Sequence, residues 1–155
     1  SPDFPRDFTE KMHTNNFFWI SYETSYTNQG IFVYTFPYQG EWQLTAEYLV
    51  AKRNEFLKEN VPATAENSYM ITHPTATPGF AIKEYNGLNF IEMRGLWDTQ
   101  NDFMGGPFVS HTYVSPDNKN IVVLEGFVYA PKYEKRNYLR QVEYIISSFE
   151  WSKGE

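Results

Sequence analysis

Three histidines, His13, His73 and His111, stand far apart in the 155-residue chain. None belongs to a His-x-x-x-His or His-Glu-x-x-His pattern. The chain has no cysteine, so thiolate nucleophiles, disulfides and thiolate metal ligands are excluded together. A zinc site would need the histidines to converge with a carboxylate, and nothing in their spacing predicts it. Surface or half-buried histidines are expected, with no metal and no cofactor. Nucleophilic catalysis has no better footing, because no Gly-x-Ser-x-Gly elbow is present. Ser21, Ser68 and Ser110 fall in strand-like or loop contexts, and Ser110 and His111 are strand neighbours that point to opposite faces. Gly105-Gly106 leads into Pro107 and a strand rather than a helix N-terminus, so it makes no phosphate cradle. No catalytic residue is assigned.

What remains is arginine, carboxylate and tyrosine chemistry. Within residues 98–106, Asp98 and Asp102 can face Arg94 or a ligand, ahead of Gly105-Gly106-Pro107. The plainer reading is that the glycines serve a tight start to the next strand, with Phe103 and Met104 tucked into the core. A glycosidase would require two converging carboxylates, which this spacing does not establish. Lys132, Lys135, Arg136 and Arg140 place four of the 13 cations within nine residues, near the start of a predicted helix. The helix dipole there favours anions, so Arg136 and Arg140, four residues apart, are candidates to hold one, with Lys132 and Tyr133 beside them. The alternative is a solvated face with Glu134 and Glu143 as counter-charges. Arg53 is unexpected, because it falls inside the apolar stripe of Ala46, Val50, Phe56 and Leu57. Either its stem snorkels past the sheet edge, or it forms a structural ion pair with Glu125 or Glu92, each of which shares strand parity with apolar neighbours.

These residues need a scaffold, and the composition supplies one. The chain holds 13 Phe, 12 Tyr and 4 Trp, an aromatic fraction of 19% within a hydrophobic fraction of 41%, which argues against disorder. Its length suits one domain that hides about 70% of its unfolded surface. No apolar run approaches the ~18 residues of a membrane-spanning helix. With 13 basic and 19 acidic residues the net charge is -6, which disfavours nucleic acid as a partner. Residues 1–16 read as a polar lead-in with one helical turn, and 17–155 as a single domain. Residues 17–26 and 30–37 form a hairpin signal, and 45–59 carry helical periodicity closed by Pro62. Strands follow at 69–73, 80–85 and 88–97, with Asn86-Gly87 as the hairpin turn between the last two. A loop at 98–106, a strand at 107–114, a turn at 115–118 and a strand at 121–130 come next. A second helix over 133–147 and a short strand at 149–151 complete the order. The prediction is an α+β fold: a mainly antiparallel sheet of about six to eight strands packed with two helices. Its element order resembles the Mog1/PsbP-like architecture, a likeness of fold that carries no function. Phe32, Phe56, Phe80, Phe90, Phe127 and Phe149 are expected in the core. Two aromatic contact surfaces are expected, one at Tyr22, Tyr26, Tyr34 and Tyr38 and one around the start of the second helix.

Several motifs point to a known family. Ile20-Ser21-Tyr22-Glu23-Thr24, Phe36-Pro37-Tyr38, Lys52-Arg53-Asn54-Glu55-Phe56-Leu57 and Glu92-Met93-Arg94-Gly95-Leu96-Trp97 carry the first part of the likeness. It is sharpest at Asn101-Asp102-Phe103-Met104-Gly105-Gly106-Pro107-Phe108-Val109 and at Glu125-Gly126-Phe127-Val128-Tyr129-Ala130-Pro131-Lys132-Tyr133. With these blocks the chain resembles Bacteroidetes envelope lipoproteins that share the domain of unknown function 4837. The resemblance implies a longer, lipid-anchored parent in the cell envelope, periplasmic or outer-membrane, of which this chain is the C-terminal half. The start at Ser1-Pro2-Asp3 reads accordingly as a processed or trimmed end. The family brings no assigned activity and no catalytic residues. The expectation is therefore a non-catalytic module that binds a protein or glycan partner or serves a structural role. A hydrolase or transferase with an unfamiliar Asp/Arg/Tyr site is the competing reading.

Overall fold

Aromatic and β-branched residues alternate through most of the chain, and the computed structural model, which describes residues 7–152, folds them chiefly into strands. The order is β1 (Thr9–His13), β2 (Phe17–Glu23), β3 (Asn28–Pro37), α1 (Ala46–Asn60), β4 (Tyr69–Thr72), β5 (Gly79–Tyr85), β6 (Leu88–Gln100), β7 (Gly105–Val114), β8 (Asn120–Tyr129) and α2 (Arg136–Ile146). A 3-10 turn at Glu41–Gln43 precedes α1. One curled antiparallel sheet runs β1-β2-β3-β8-β7-β6-β4, and β5 shares with β4 the outer edge of β6. The α+β architecture expected from the sequence is the one observed.

Strand alternation divides the aromatics between two cores. Phe17, Trp19, Phe32, Phe108 and Phe127 meet Leu49, Phe56 and Leu57 of α1 on one face. Ile20, Ile31, Val109, Tyr113, Leu124 and Val128 meet Val142, Ile145 and Ile146 of α2 on the other. The helices differ in how they begin. Thr45 caps α1 by accepting a hydrogen bond from the Tyr48 amide at 3.2 Å. At the start of α2, Lys135 makes no side-chain cap, and no acidic residue lies in the first turn. A missing cap costs about 1 kcal/mol, whereas each buried Val or Ile contributes roughly 1.5–3 kcal/mol. Packing therefore outweighs the poor start. Close approach is allowed at Gly126, where an added Cβ would lie 2.6 Å from Val142 Cγ2.

Local geometry follows the turn chemistry. Asn86 and Gly87 both take positive φ, 52° and 77°, as a two-residue hairpin turn requires. Four expectations need correction. The lead-in contains an edge strand, β1, rather than a helical turn within its described residues. The loop expected at 98–106 shrinks to residues 101–104, because β6 continues to Gln100 and β7 begins at Gly105. Residues 149–151 form no strand, although Phe149 is buried and stacks near Tyr113 and Trp151. Phe80 is 39% exposed, because β5 is an edge strand with little covering it.

Candidate functional site

A hollow of about 820 Å³ lies between the β2–β3 hairpin and α2. Tyr22 at the end of β2 and Tyr26 in the turn form one wall, while Tyr133, Tyr138 and Tyr144 form the other. Gln29, at the start of β3, ties the two sides together. Its side-chain amide donates to the Tyr138 carbonyl at 3.0 Å and to Gln141 Oε1 at 2.8 Å. Tyr26 and Tyr133 meet edge to face at 6.1 Å, and Lys132 Nζ stands 6.0 Å from the Tyr26 ring. Arg140 and Asp7 supply charge at the rim. The two expected aromatic surfaces are thus one. Tyr34 and Tyr38 leave it, since Tyr34 is buried against α1 and Tyr38 packs on the same core.

A second hollow, about 1020 Å³, lies beyond the β6–β7 turn. It brings Asp98 and Asp102 to the same rim as Lys135 and Arg136. The carboxylates are engaged locally. Asp98 Oδ1 accepts the Thr99 amide at 2.8 Å, and Asp102 accepts the amides of Phe103 and Ala65. Those two amides hold the Asp102 carboxyl below its ordinary pKa. Phe103 is fully exposed rather than tucked into the core, because the positive φ of Asn101 carries the tight turn outward. Met104 does pack against the α1 core. Arg136 and Arg140 do not share a hollow, since Arg136 lines this one and Arg140 the tyrosine-lined one.

Arg53 lies wholly inside. Its Nε and Nη2 donate to Glu125 Oε1 and Oε2 at 2.7 and 2.9 Å, and its Nη1 donates to Thr72 Oγ1 at 2.8 Å. The guanidinium carbon sits 3.9 Å from the Phe108 ring centre. Of the two open partners, the structure brings Glu125 to Arg53 and sends Glu92 elsewhere. Burial, and then the Glu125 charge, push the neighbouring Tyr34 hydroxyl well above the ordinary tyrosine pKa.

Glu92 points to the α2 face with Arg94. Arg94 Nε donates to Glu92 at 3.1 Å, its Nη2 contacts Glu143 of α2, and Lys83 Nζ lies 3.9 Å from Glu92. Arg94 is thus turned from Asp98 and Asp102 toward a different pair of carboxylates. His111 opposes Glu92 across the β6–β7 ladder and packs on Phe90 at 4.3 Å between ring centres. Burial pushes its pKa down to about 4, so the imidazole is neutral at neutral pH. The sequence reasoning missed Tyr144, Gln29 and Gln141. Tyr144 had a signal, since a tyrosine on the polar face of a predicted helix is an exposed aromatic.

Fold and hollows together define an α+β domain with recesses open to solvent, in which the Asp98 and Asp102 carboxylates are each tied to backbone amides. A family model described as a domain of unknown function (DUF4837) matches residues 2–148, and the chain belongs to that family. A comparison with curated proteins returns no match. Among the described residues, no helix is long and apolar enough to cross a membrane.

Proposed function

We propose that this domain is a non-catalytic binding module that takes a carbohydrate in the tyrosine-lined hollow, as part of a lipid-anchored envelope protein. The observation that carries the reading is the hollow itself. Five tyrosines, from the β2–β3 hairpin and from α2 with the segment that leads into it, surround a space of about 820 Å³ beside the polar side chains of Gln29, Gln141 and Arg140. A sugar ring has apolar C–H faces and an equatorial fringe of hydroxyls. Aromatic rings cover the faces, while amides and a guanidinium satisfy the fringe. Volume and lining suit a ligand of a few rings. The envelope setting is supported by the resemblance of the motif blocks to Bacteroidetes envelope lipoproteins.

Glycan-array binding tests the reading. The chain is expected to select a glycan class, and the Tyr26→Ala/Tyr144→Ala double variant to lose it while keeping its fold. Both rings are largely exposed, so their removal leaves the core intact. Absence of any selected glycan, or equal binding by the variant, would count against it. Turnover of a bound glycan would instead favour a hydrolase or transferase.

A further inference from the structure

Glu92, His111 and Glu143 come from three elements, and each offers one ligand atom within 4.8 Å of the other two. His111 is 2% exposed, yet neither Nδ1 nor Nε2 has a hydrogen-bond partner. A buried polar group left unpaired costs roughly 1–3 kcal/mol, which a ligand on that nitrogen would recover. The trio borders a hollow of about 410 Å³ open to solvent beside Phe90, Tyr144 and Ser147. We propose that Glu92, His111 and Glu143 form a binding site for a divalent transition cation such as zinc, and that the Arg94 guanidinium holds its place in the metal-free chain.

Arg94 already puts one positive charge between the two carboxylates. Its side chain is 44% exposed and has room to rotate outward. A four-coordinate metal with bonds of about 2.0–2.2 Å needs donor atoms about 3.4 Å apart. The trio must therefore contract, and departure of the guanidinium allows the two glutamates to close. Two carboxylates balance a dication, and the neutral imidazole supplies a nitrogen lone pair. One nitrogen and two oxygens, with a fourth position facing the hollow, suit zinc. Calcium, which takes six to eight oxygens, is a poor match. Sequence spacing gave no hint of this, because it sought several histidines, whereas the trio holds one histidine and two glutamates brought together by strand pairing and α2.

The test is a zinc titration of the 155-residue chain against a chromogenic chelator. One zinc per chain is expected, with His111→Gln and Glu143→Gln each weakening binding at least about tenfold, and Arg94→Gln tightening it at least about threefold. His13→Gln and His73→Gln are expected to change nothing. Circular dichroism checks each fold, and the partly exposed Glu143 keeps the test decisive should His111→Gln fail to fold. Cobalt substitution gives a second readout, a visible absorption band that His111→Gln or Glu143→Gln removes. Absence of saturable binding overturns the proposal. So does binding that survives in both His111→Gln and Glu143→Gln, or that His13→Gln or His73→Gln abolishes. An Arg94→Gln affinity no tighter than wild type overturns the placeholder role.

Discussion

Arg53 shows what a single residue on the wrong face can reveal. A charge within an apolar helical stripe either snorkels to the sheet edge or takes a partner, and for a partner the sequence offered Glu125 or Glu92. Parity alone did not choose between them, because both glutamates share a strand side with apolar neighbours. The choice is made by strand order: β8 lies at the centre of the sheet under α1, whereas Glu92 faces α2. Since both ions of the pair are wholly buried, removing either leaves an uncompensated charge. Arg53→Met or Glu125→Gln alone is expected to cost about 3–5 kcal/mol in urea unfolding. The double variant Arg53→Met/Glu125→Met is expected to be more stable than either single one, and singles costing under about 1 kcal/mol would refute the dependence of each buried charge on the other. Buried tyrosines add a pH dependence. Burial raises the Tyr113 pKa to about 12, and that of Tyr34 rises as well. The folded chain holds these protons more tightly than the unfolded one, whose tyrosines titrate near 10. Their contribution is full below about pH 10 and is lost as pH rises toward 12. The urea midpoint is expected to fall over that window, and Tyr113→Phe to flatten the decline.

At the scale of elements, both helices and seven of the strands were legible because apolar periodicity or turn chemistry announced them. β1 was not, since its burial pattern is almost wholly exposed and leaves no alternation to read. Residues 149–151 failed the other way. Their aromatic composition resembles a strand, but stacking of Phe149 on Tyr113 supplies the burial without a ladder. The extent of β6 was understated, because Asp98, Thr99 and Gln100 are polar, although they pair with β4. How closely α2 approaches the sheet depends on Gly126. Gly126→Val is expected to destabilise by about 1–3 kcal/mol through overpacking against Val142 and to weaken ligand binding by shifting one wall of the hollow. Full stability and unchanged binding in that variant would show that α2 is not held in place there. Phe103→Ser, at a fully exposed turn, is expected to stay within about 0.5 kcal/mol of wild type in the same unfolding assay.

For the whole molecule, the candidate site was half legible. Tyrosines at the first hairpin and at the start of α2 were visible in the sequence, but as two separate surfaces. Placing Gln29 of β3 against Tyr138 and Gln141 of α2 joins them, and that contact spans more than a hundred residues of chain. No local pattern encodes it. Strand alternation sends Tyr34 inward against α1, and Arg140 and Arg136 line different hollows, so composition alone overstated one cluster and fused another. The pairing of β2 with β3 and the seat of α2 therefore make the recess, and the tyrosines line it. The most direct test is calorimetric titration of the chain with an oligosaccharide chosen from the array. Saturable one-to-one binding is expected, with Tyr144→Ala and Arg140→Ala each weakening it at least about tenfold. Equal affinity in wild type and both variants would contradict carbohydrate binding in this hollow.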